Sequence, residues 1–194
     1  LDAPVVDGLG KVFARARDDV WLAGDPIDDT AVIVSHFDGD VWTRVVDGPM
    51  TSLGRLWSPA EGALWVLANQ PFLFDGASWT ELTTTAASGD ALDMWGGAPD
   101  DAWLVGRAGA IHHFDGTTFT AVASPVTTDL LRVHGRAIDD VYAVGALGTI
   151  LHYDGNAWSA EASGTTLDFN DVVFTETHAE VVAWGTTILR KALP

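Results

Sequence analysis

The chain repeats itself. The stretch "DDVYAVGALGTILHYDGNAW" at 139–158 is a near copy of "DDAWLVGRAGAIHHFDGTTF" at 100–119, and worn versions occur twice more. Aligned on Asp-Gly followed by an aromatic residue, the repeats start at Asp38, Asp75, Asp115 and Asp154, in steps of 37, 40 and 39 residues. A second anchor lies upstream in each unit, at Trp21, Trp65, Trp103, Tyr142 and Val182, followed by Gly24, Ala68, Gly106, Gly145 or Gly185. A third lies twelve residues before that small residue, at Val12, Leu56, Met94, Val133 or Val173. Three anchors in register across five units make a repeat architecture.

Each unit reads as four short strands, A to D. The fourth unit gives "LLRVHG", "DVYAVG", "TILHY" and "AWSAEA", each rich in β-branched and aromatic residues and bounded by turn formers. No stretch shows a 3.6-residue apolar period with caps. About 39 residues and four strands per unit is the signature of a β-propeller blade. The expected fold is all-β, a five-bladed β-propeller of four-stranded antiparallel blades in a single domain, 1–194. The fifth unit stops after strand C at "TILRKALP", while "APVVDGLGKVF" at the start aligns with "TRVVDGPMTSLGRLW", a D strand running into an A strand. Residues 1–7 are therefore expected to complete the last blade and hide its edge. The blades then cover 8–48, 49–88, 89–126, 127–164, and 165–194 with 1–7. A piece of a larger propeller, cut within a repeat, would have ends that look the same.

These motifs resemble the repeats of secreted bacterial propellers. They are also similar to the propellers of the photosystem II assembly and stability factors, with their V-x-F strand, G-W-x-V-G-x-x-G-T-I-L and D-G-G-x-x-W. "FNDVVFTETHAEVVAWGTTIL" at 169–189 echoes the same pattern. The resemblance covers the whole chain and implies a propeller with a non-enzymatic binding or scaffolding role. The family's second glycine after Asp-Gly is replaced here by Asp40, Ala77, Thr117 and Asn156. The sialidase box S-x-D-x-G-x-x-W also differs, because here Asp and Gly are adjacent.

Composition narrows the partners. Ten Lys+Arg against 27 Asp+Glu give a net charge of −17, which repels phosphate backbones and anionic lipid. No nucleic-acid partner is expected, and no membrane insertion, since no apolar run approaches the roughly 20 residues of a spanning helix. Zero cysteines exclude a disulfide framework, thiolate catalysis and Cys-ligated zinc. "LDAPVVDG" has no signal-peptide pattern and begins with Leu. We read the chain as a mature segment, monomeric and secreted, periplasmic or on the cell surface, its signal removed.

The repeated chemistry is mostly the fold's own. Trp21, Trp65, Trp103, Trp42, Trp79 and Trp158 sit at repeat anchors and are expected to pack between blades. His36, His113 and His152 recur in strand C, too far apart on neighbouring blades for a zinc ion needing each nitrogen at about 2.1 Å. The acid pairs Asp18-Asp19, Asp100-Asp101 and Asp139-Asp140 and the Asp-Gly turns suit backbone capping. Calcium is the metal such turns would suit, but no D-x-D-x-D-G spacing is present, and no cofactor is expected.

The inner strands are less easily explained. Position 11 and its equivalents read Lys11, Arg55, Asp93, Arg132 and Val172, so three of ten cations share one repeat position. Trp57 and Trp95 lie on the same strands, beside the expected axis. Asp7, Asp90, Asp129 and Asp168 form an acidic rim at the strand entrances. Gly24 to Asp38 spans 14 residues where Gly106–Asp115 and Gly145–Asp154 span nine, so "DPIDDT" enlarges one B–C loop and brings Asp28 and Asp29. Insertions in repeats map to loops, often on the binding face.

The expected site is thus an axial pocket on the face of the D–A and B–C loops. Lys11, Arg55 and Arg132 donate hydrogen bonds, Asp93 accepts, Trp57 and Trp95 stack, and Asp28 and Asp29 clamp. Its ligand would be a carbohydrate, a small polar molecule or a peptide of a protein partner, with no catalytic residue. A second reading is a glycoside hydrolase using Asp90, Asp129 and Asp168, supported by Asp93 or Asp171. A third is a purely structural module of a larger surface protein.

Overall fold

The computed structural model describes residues 9–24, 32–45, 50, 53–60, 63–68, 70–84, 90–175, 178–183 and 188–192, with only the backbone of 9, 191 and 192. The chain divides into two compact units, Leu1–Leu82 and Thr83–Pro194. No described helix is long and apolar enough to cross a membrane.

The first unit holds two antiparallel sheets, each a meander in chain order. One comprises β1 (Leu9–Ala16), β2 (Asp19–Gly24), β3 (Ile33–Phe37) and β4 (Trp42–Arg44). The other comprises β5 (Arg55–Trp57), β6 (Leu64–Leu67), β7 (Pro71–Phe74) and β8 (Trp79–Glu81). Apart from Asp19, Ser35 and His36, their second and third strands are apolar and largely buried. Trp21, Val34, Leu64, Val66 and Phe74 form one core with the buried Met50.

The second unit holds three sheets of the same design. The third has β9 (Ala91–Ala98), β10 (Asp101–Gly106), β11 (Ile111–Phe114) and β12 (Phe119–Ala121). The fourth has β13 (Leu130–Ala137), β14 (Asp140–Gly145), β15 (Ile150–Tyr153) and β16 (Trp158–Glu161). The fifth has three strands among the described residues, β17 (Phe169–Phe174), β18 (His178–Ala183) and β19 (Ile188–Ala192). Tyr142, Val144, Phe169, Val172, Val181 and Ala183 pack into one core. The closing strand expected over residues 1–7 lies outside the described residues.

Two backbone features explain why the phrase repeats. The Asp-Gly stretch is a side-chain-capped turn: Asp154 Oδ1 accepts the N–H groups of Asn156 and Ala157, both at 3.0 Å. Asp38, Asp75 and Asp115 do the same in their turns. The aromatic after each turn then packs on the last residue of strand C, as in Phe74–Trp79 at 5.1 Å and Phe114–Phe119 at 5.0 Å. The glycine closing strand B is a packing demand. A Cβ on Gly106 would stand 2.0 Å from the Asp90 carbonyl oxygen, and one on Gly145 the same distance from that of Asp129.

The fifth unit corrects the alignment read from the sequence. Phe169 pairs with Ala183, Asp171 with Val182 and Val172 with Val181, after a bulge between Phe169 and Asp171. The fourth sheet has the same bulge, with Leu130 opposite Gly145, Arg132 opposite Val144 and Val133 opposite Ala143. Val172 is thus the counterpart of Val133, and both are buried, while Val173 is 41% exposed. The residue equivalent to Lys11 and Arg132 is Asp171, and Val172 is a core residue. Strand B shifts further: Glu180 faces Arg190 where Tyr142 faces His152.

Candidate functional site

The inner-strand position is built by that bulge. It recurs between Leu9 and Lys11, between Ala91 and Asp93, between Leu130 and Arg132, and between Phe169 and Asp171. A bulge leaves one residue unpaired and re-aims the side chains beside it. Lys11 is exposed, Arg55 half-buried, Asp93 buried, Arg132 half-buried and Asp171 exposed. Asp93 Oδ2 accepts the Val133 N–H at 3.0 Å, tying the third sheet to the fourth. Arg132 Nη1 donates to the Leu131 carbonyl at 2.5 Å. In the second unit the charges therefore run Asp93, Arg132, Asp171. Asp28 and Asp29 lie outside the described residues, as does Asp7.

The two inner-strand tryptophans have structural neighbours. Trp57 is half-buried against Phe13, with ring centroids 4.7 Å apart. Trp95 is 4% exposed. Its ring lies 2.5 Å from where a Gly135 Cβ would stand and 5.8 Å from the His134 ring. A ligand cannot stack on its faces as they stand, so Trp95 acts here as packing.

The acidic rim holds loops. Asp129 Oδ1 accepts the Ala108 N–H at 2.8 Å, and Asp168 Oδ1 accepts the Leu147 N–H at the same distance. Each ties a B–C loop to the next sheet's strand entrance, 21 residues on. An acid or nucleophile for glycoside cleavage must face the scissile bond, and these carboxylates already face backbone donors.

Strand C histidines belong to a cross-strand relay that the sequence reading missed. His36 Nε2 lies 2.8 Å from Asp19 Oδ1, His113 Nε2 3.3 Å from Asp101 Oδ1, and His152 Nε2 2.9 Å from Asp140 Oδ1. Each ring also packs on the strand B aromatic, stacked 4.2 Å from Trp21 and 4.2 Å from Tyr142 and tilted 4.4 Å from Trp103. Arg15 Nε reaches Asp19 at 2.5 Å and Arg136 Nε reaches Asp140 at 2.6 Å. In the fifth sheet the ion pair Arg190–Glu180, at 2.9 Å, takes the place of the stacked rings. The signal was present as the spacing from the first residue of strand B to the histidine, twelve residues in the third and fourth units. Among the described residues no group of three or more His, Asp or Glu is arranged to hold a metal ion.

Clefts open at equivalent seams within each unit. One of about 370 Å³ in the first unit includes Trp21, His36, Arg44 and Phe74. In the second unit, one of about 480 Å³ includes Trp103, His113, Tyr153 and Trp158, and one of about 260 Å³ includes Tyr142, Glu161, Val181 and Arg190. A shallower groove of about 600 Å³ follows Leu147, Gly148, Glu161, Ser163 and Thr165.

Protonation separates two kinds of residue. Backbone N–H bonds from Val41 and then Asp40 hold the Asp38 carboxyl below the usual carboxylate range, and Asp75, Asp115 and Asp154 are lowered likewise by their own turn N–H groups. Burial holds the His112 imidazole below the ordinary histidine range; it does so at His134 against smaller upward pulls from Gly135 and Asp171. Both kinds are depressed, so both contribute stability above their unfolded-state values and lose it as pH falls. The histidine loss begins near pH 6.5 and the turn-aspartate loss near pH 4. His112 Nδ1 is buried and has no hydrogen-bond partner among the described residues. His112→Leu should therefore raise the melting temperature at pH 7.5, and raise it further at pH 5.5. Melting curves of the two proteins that stay parallel across that range would rule the assignment out.

Solved structures now place this geometry. The fold matches YCF48 from Cyanidioschyzon merolae with a TM-score of 0.69 at 16% identity, over 98% of this chain and 69% of that one. The chain has a β-propeller fold. The extracellular domain of the hybrid two-component system BT3049 from B. thetaiotaomicron matches with a TM-score of 0.64 at 10% identity, over 92% of this chain and 28% of that one. BamB from Moraxella catarrhalis matches with a TM-score of 0.55 at 14% identity, over 93% and 56%. No protein-family model matches the chain, and no curated protein matches it.

Proposed function

We propose that the chain is a non-catalytic binding or scaffold propeller that holds a polar ligand or a partner peptide. One contrast carries this reading. The carboxylates of Asp129 and Asp168 at the rim, and those in the relays and in the Asp-Gly turns, hold backbone or side chains of the fold. The bulge position recurs in four sheets and Arg55 holds the matching paired position in the other, yet the residue changes between Lys11, Arg55, Asp93, Arg132 and Asp171. A position that the fold fixes and whose charge varies is where recognition can be written.

In this proposal the five sheets are the blades of one closed ring over 1–194, with residues 1–7 as the fourth strand of the fifth sheet. Lys11, Arg55 and Arg132 donate to the ligand, and Asp93 accepts. Trp57 offers its partly exposed ring, and Asp28 and Asp29 reach in from their loop. Carbohydrate, small polar molecule and peptide all suit such a set. An extracytoplasmic setting fits the extracellular BT3049 domain that shares the fold, and a monomer fits a ring without open edges.

The test is the double variant Arg55→Ala and Arg132→Ala, screened against a glycan array and a peptide array beside the parent chain. Hits of the parent chain should weaken at least tenfold in the variant while its melting temperature holds. Undiminished hits would remove this site. No hit on either array for the parent chain would leave the structural module standing in its place.

A further inference from the structure

The inner strands carry a ring at one register position. Phe13 lies opposite Trp21, Trp57 opposite Trp65, Trp95 opposite Trp103 and His134 opposite Tyr142. Of these four rings only His134 can take up a proton. The fifth sheet has Val173 at that place, opposite Glu180, and the next residue, Phe174, supplies the ring.

In the second unit these rings form a row. The half-buried His134 ring lies 5.8 Å from that of Trp95 on β9 and 5.5 Å from that of Phe174 on β17. One imidazole therefore joins the third, fourth and fifth sheets. A neutral imidazole suits an apolar row, whereas an imidazolium there forfeits hydration. Burial disfavours the charged form of His134 and outweighs the upward pulls of the Gly135 backbone and the Asp171 carboxylate.

Among the charged groups on β13 and the elements packed on it, Asp171 is the one that acts on this ring. Arg136 pairs with Asp140, which also meets His152; Asp101 pairs with His113 and Arg107 with Asp129. Asp93 accepts the Val133 N–H, and Arg132 donates to the Leu131 carbonyl. Asp171 is exposed, and its Oδ1 accepts the Val172 N–H at 2.9 Å.

We propose that His134 is an acid-operated latch on Trp95. Neutral, its ring closes the row and keeps Trp95 covered. Protonated, it turns out to Asp171 and water, and one face of Trp95 opens. Arg132 lies two residues back from His134, on the same face of the strand. The latch thus rests on the binding reading above and supplies its regulation: the inner-strand site gains an aromatic platform at Trp95 only in acid.

The experiment follows the full chain by NMR from pH 7.5 to 4.5 with no ligand, so its outcome does not depend on whether the binding reading holds. The His134 ring should titrate with a midpoint below the ordinary histidine value of about 6.5. The Trp95 indole N–H and the amides of 94–96 and 171–174 should shift along that same curve. Asp171→Asn should lower the midpoint, because it removes the group that receives the charged ring. At pH 5 the Trp95 indole hydrogen should exchange at least tenfold faster in the parent chain than in His134→Phe, which restores the ring that Phe13 holds at this position. Neither His134→Phe nor His134→Gln should show the pH-dependent shift at Trp95. A His134 midpoint at or above 6.5 with Trp95 unmoved would mean that the flanking ring faces hold the cation in place, and would overturn the latch. So would a His134 that stays neutral to pH 4.5, a Trp95 shift that survives both substitutions, or one that appears only as the whole chain unfolds.

Discussion

Gly148→Ala is expected to be the most damaging single-methyl change in the second unit. Gly148 has φ +71°, and a Cβ there would stand 2.1 Å from the Thr165 carbonyl oxygen and 2.8 Å from Ser163 Oγ. Two costs add. The left-handed backbone costs a residue with a Cβ about 1–2 kcal/mol. Forcing apart packed backbone costs about 1–3 kcal/mol more. The sum, about 2–5 kcal/mol, is a large part of a domain's roughly 5–15 kcal/mol. Gly164 supplies the control, with φ +72° and nothing within 4 Å of its would-be Cβ. Gly164→Ala should pay the conformational cost alone. Urea titrations should put Gly148→Ala at about twice the loss of Gly164→Ala or more, with unchanged slopes. Equal losses would mean that the loop gives way and the contact with Thr165 is not tight.

Such contacts explain how much of the molecule could be read from its sequence. The period, the four-strand unit and the Asp-Gly turns were legible because they are local. A turn aspartate bonds residues two and three ahead, and a strand announces itself by composition. Gly106, Gly145 and Gly148 were visible as repeated letters, but their reason is a distant carbonyl, 16 residues back for the first two and 17 ahead for the third. The His36–Asp19 pair is likewise a cross-strand contact, visible only once register is known. Register was also where the reading slipped. "FNDVVF" offers Val172 and Val173 as equally good core residues, and only pairing opposite Val181 decides for Val172. That one-residue shift exchanges a valine for Asp171 at the charged inner position. Of the expected site residues, Lys11, Asp93 and Arg132 stand at the bulge-defined register and Arg55 at the matching place opposite Leu67, while Trp95 is a wedge against Gly135. Apolar patterning cannot distinguish an aromatic that lines a channel from one that fills a seam.

Removing residues 1–7 is expected to cost more than any point change, and it tests the blade count. The fifth sheet has three strands among the described residues, ending at β19. Ile188 on that strand, paired with the half-buried Val182, is 53% exposed. If residues 1–7 pair with β19, their loss removes a strand's worth of ladder bonds at about 0.5–1.5 kcal/mol each, net. It also removes the apolar cover supplied by Val5 and Val6, at about 25 cal/mol per Å². Together these reach several kcal/mol, again comparable with a whole domain's stability. A chain beginning at Gly8 should melt far below the full chain, or aggregate through the bared edge. Adding the free peptide Leu-Asp-Ala-Pro-Val-Val-Asp should restore part of the lost melting temperature, as strand addition restores a sheet edge. The same peptide with both valines replaced by lysine should not, because alternate side chains of an added strand enter the apolar layer. A shortened chain that melts with the full one would detach the N-terminal residues from β19 and remove this closure.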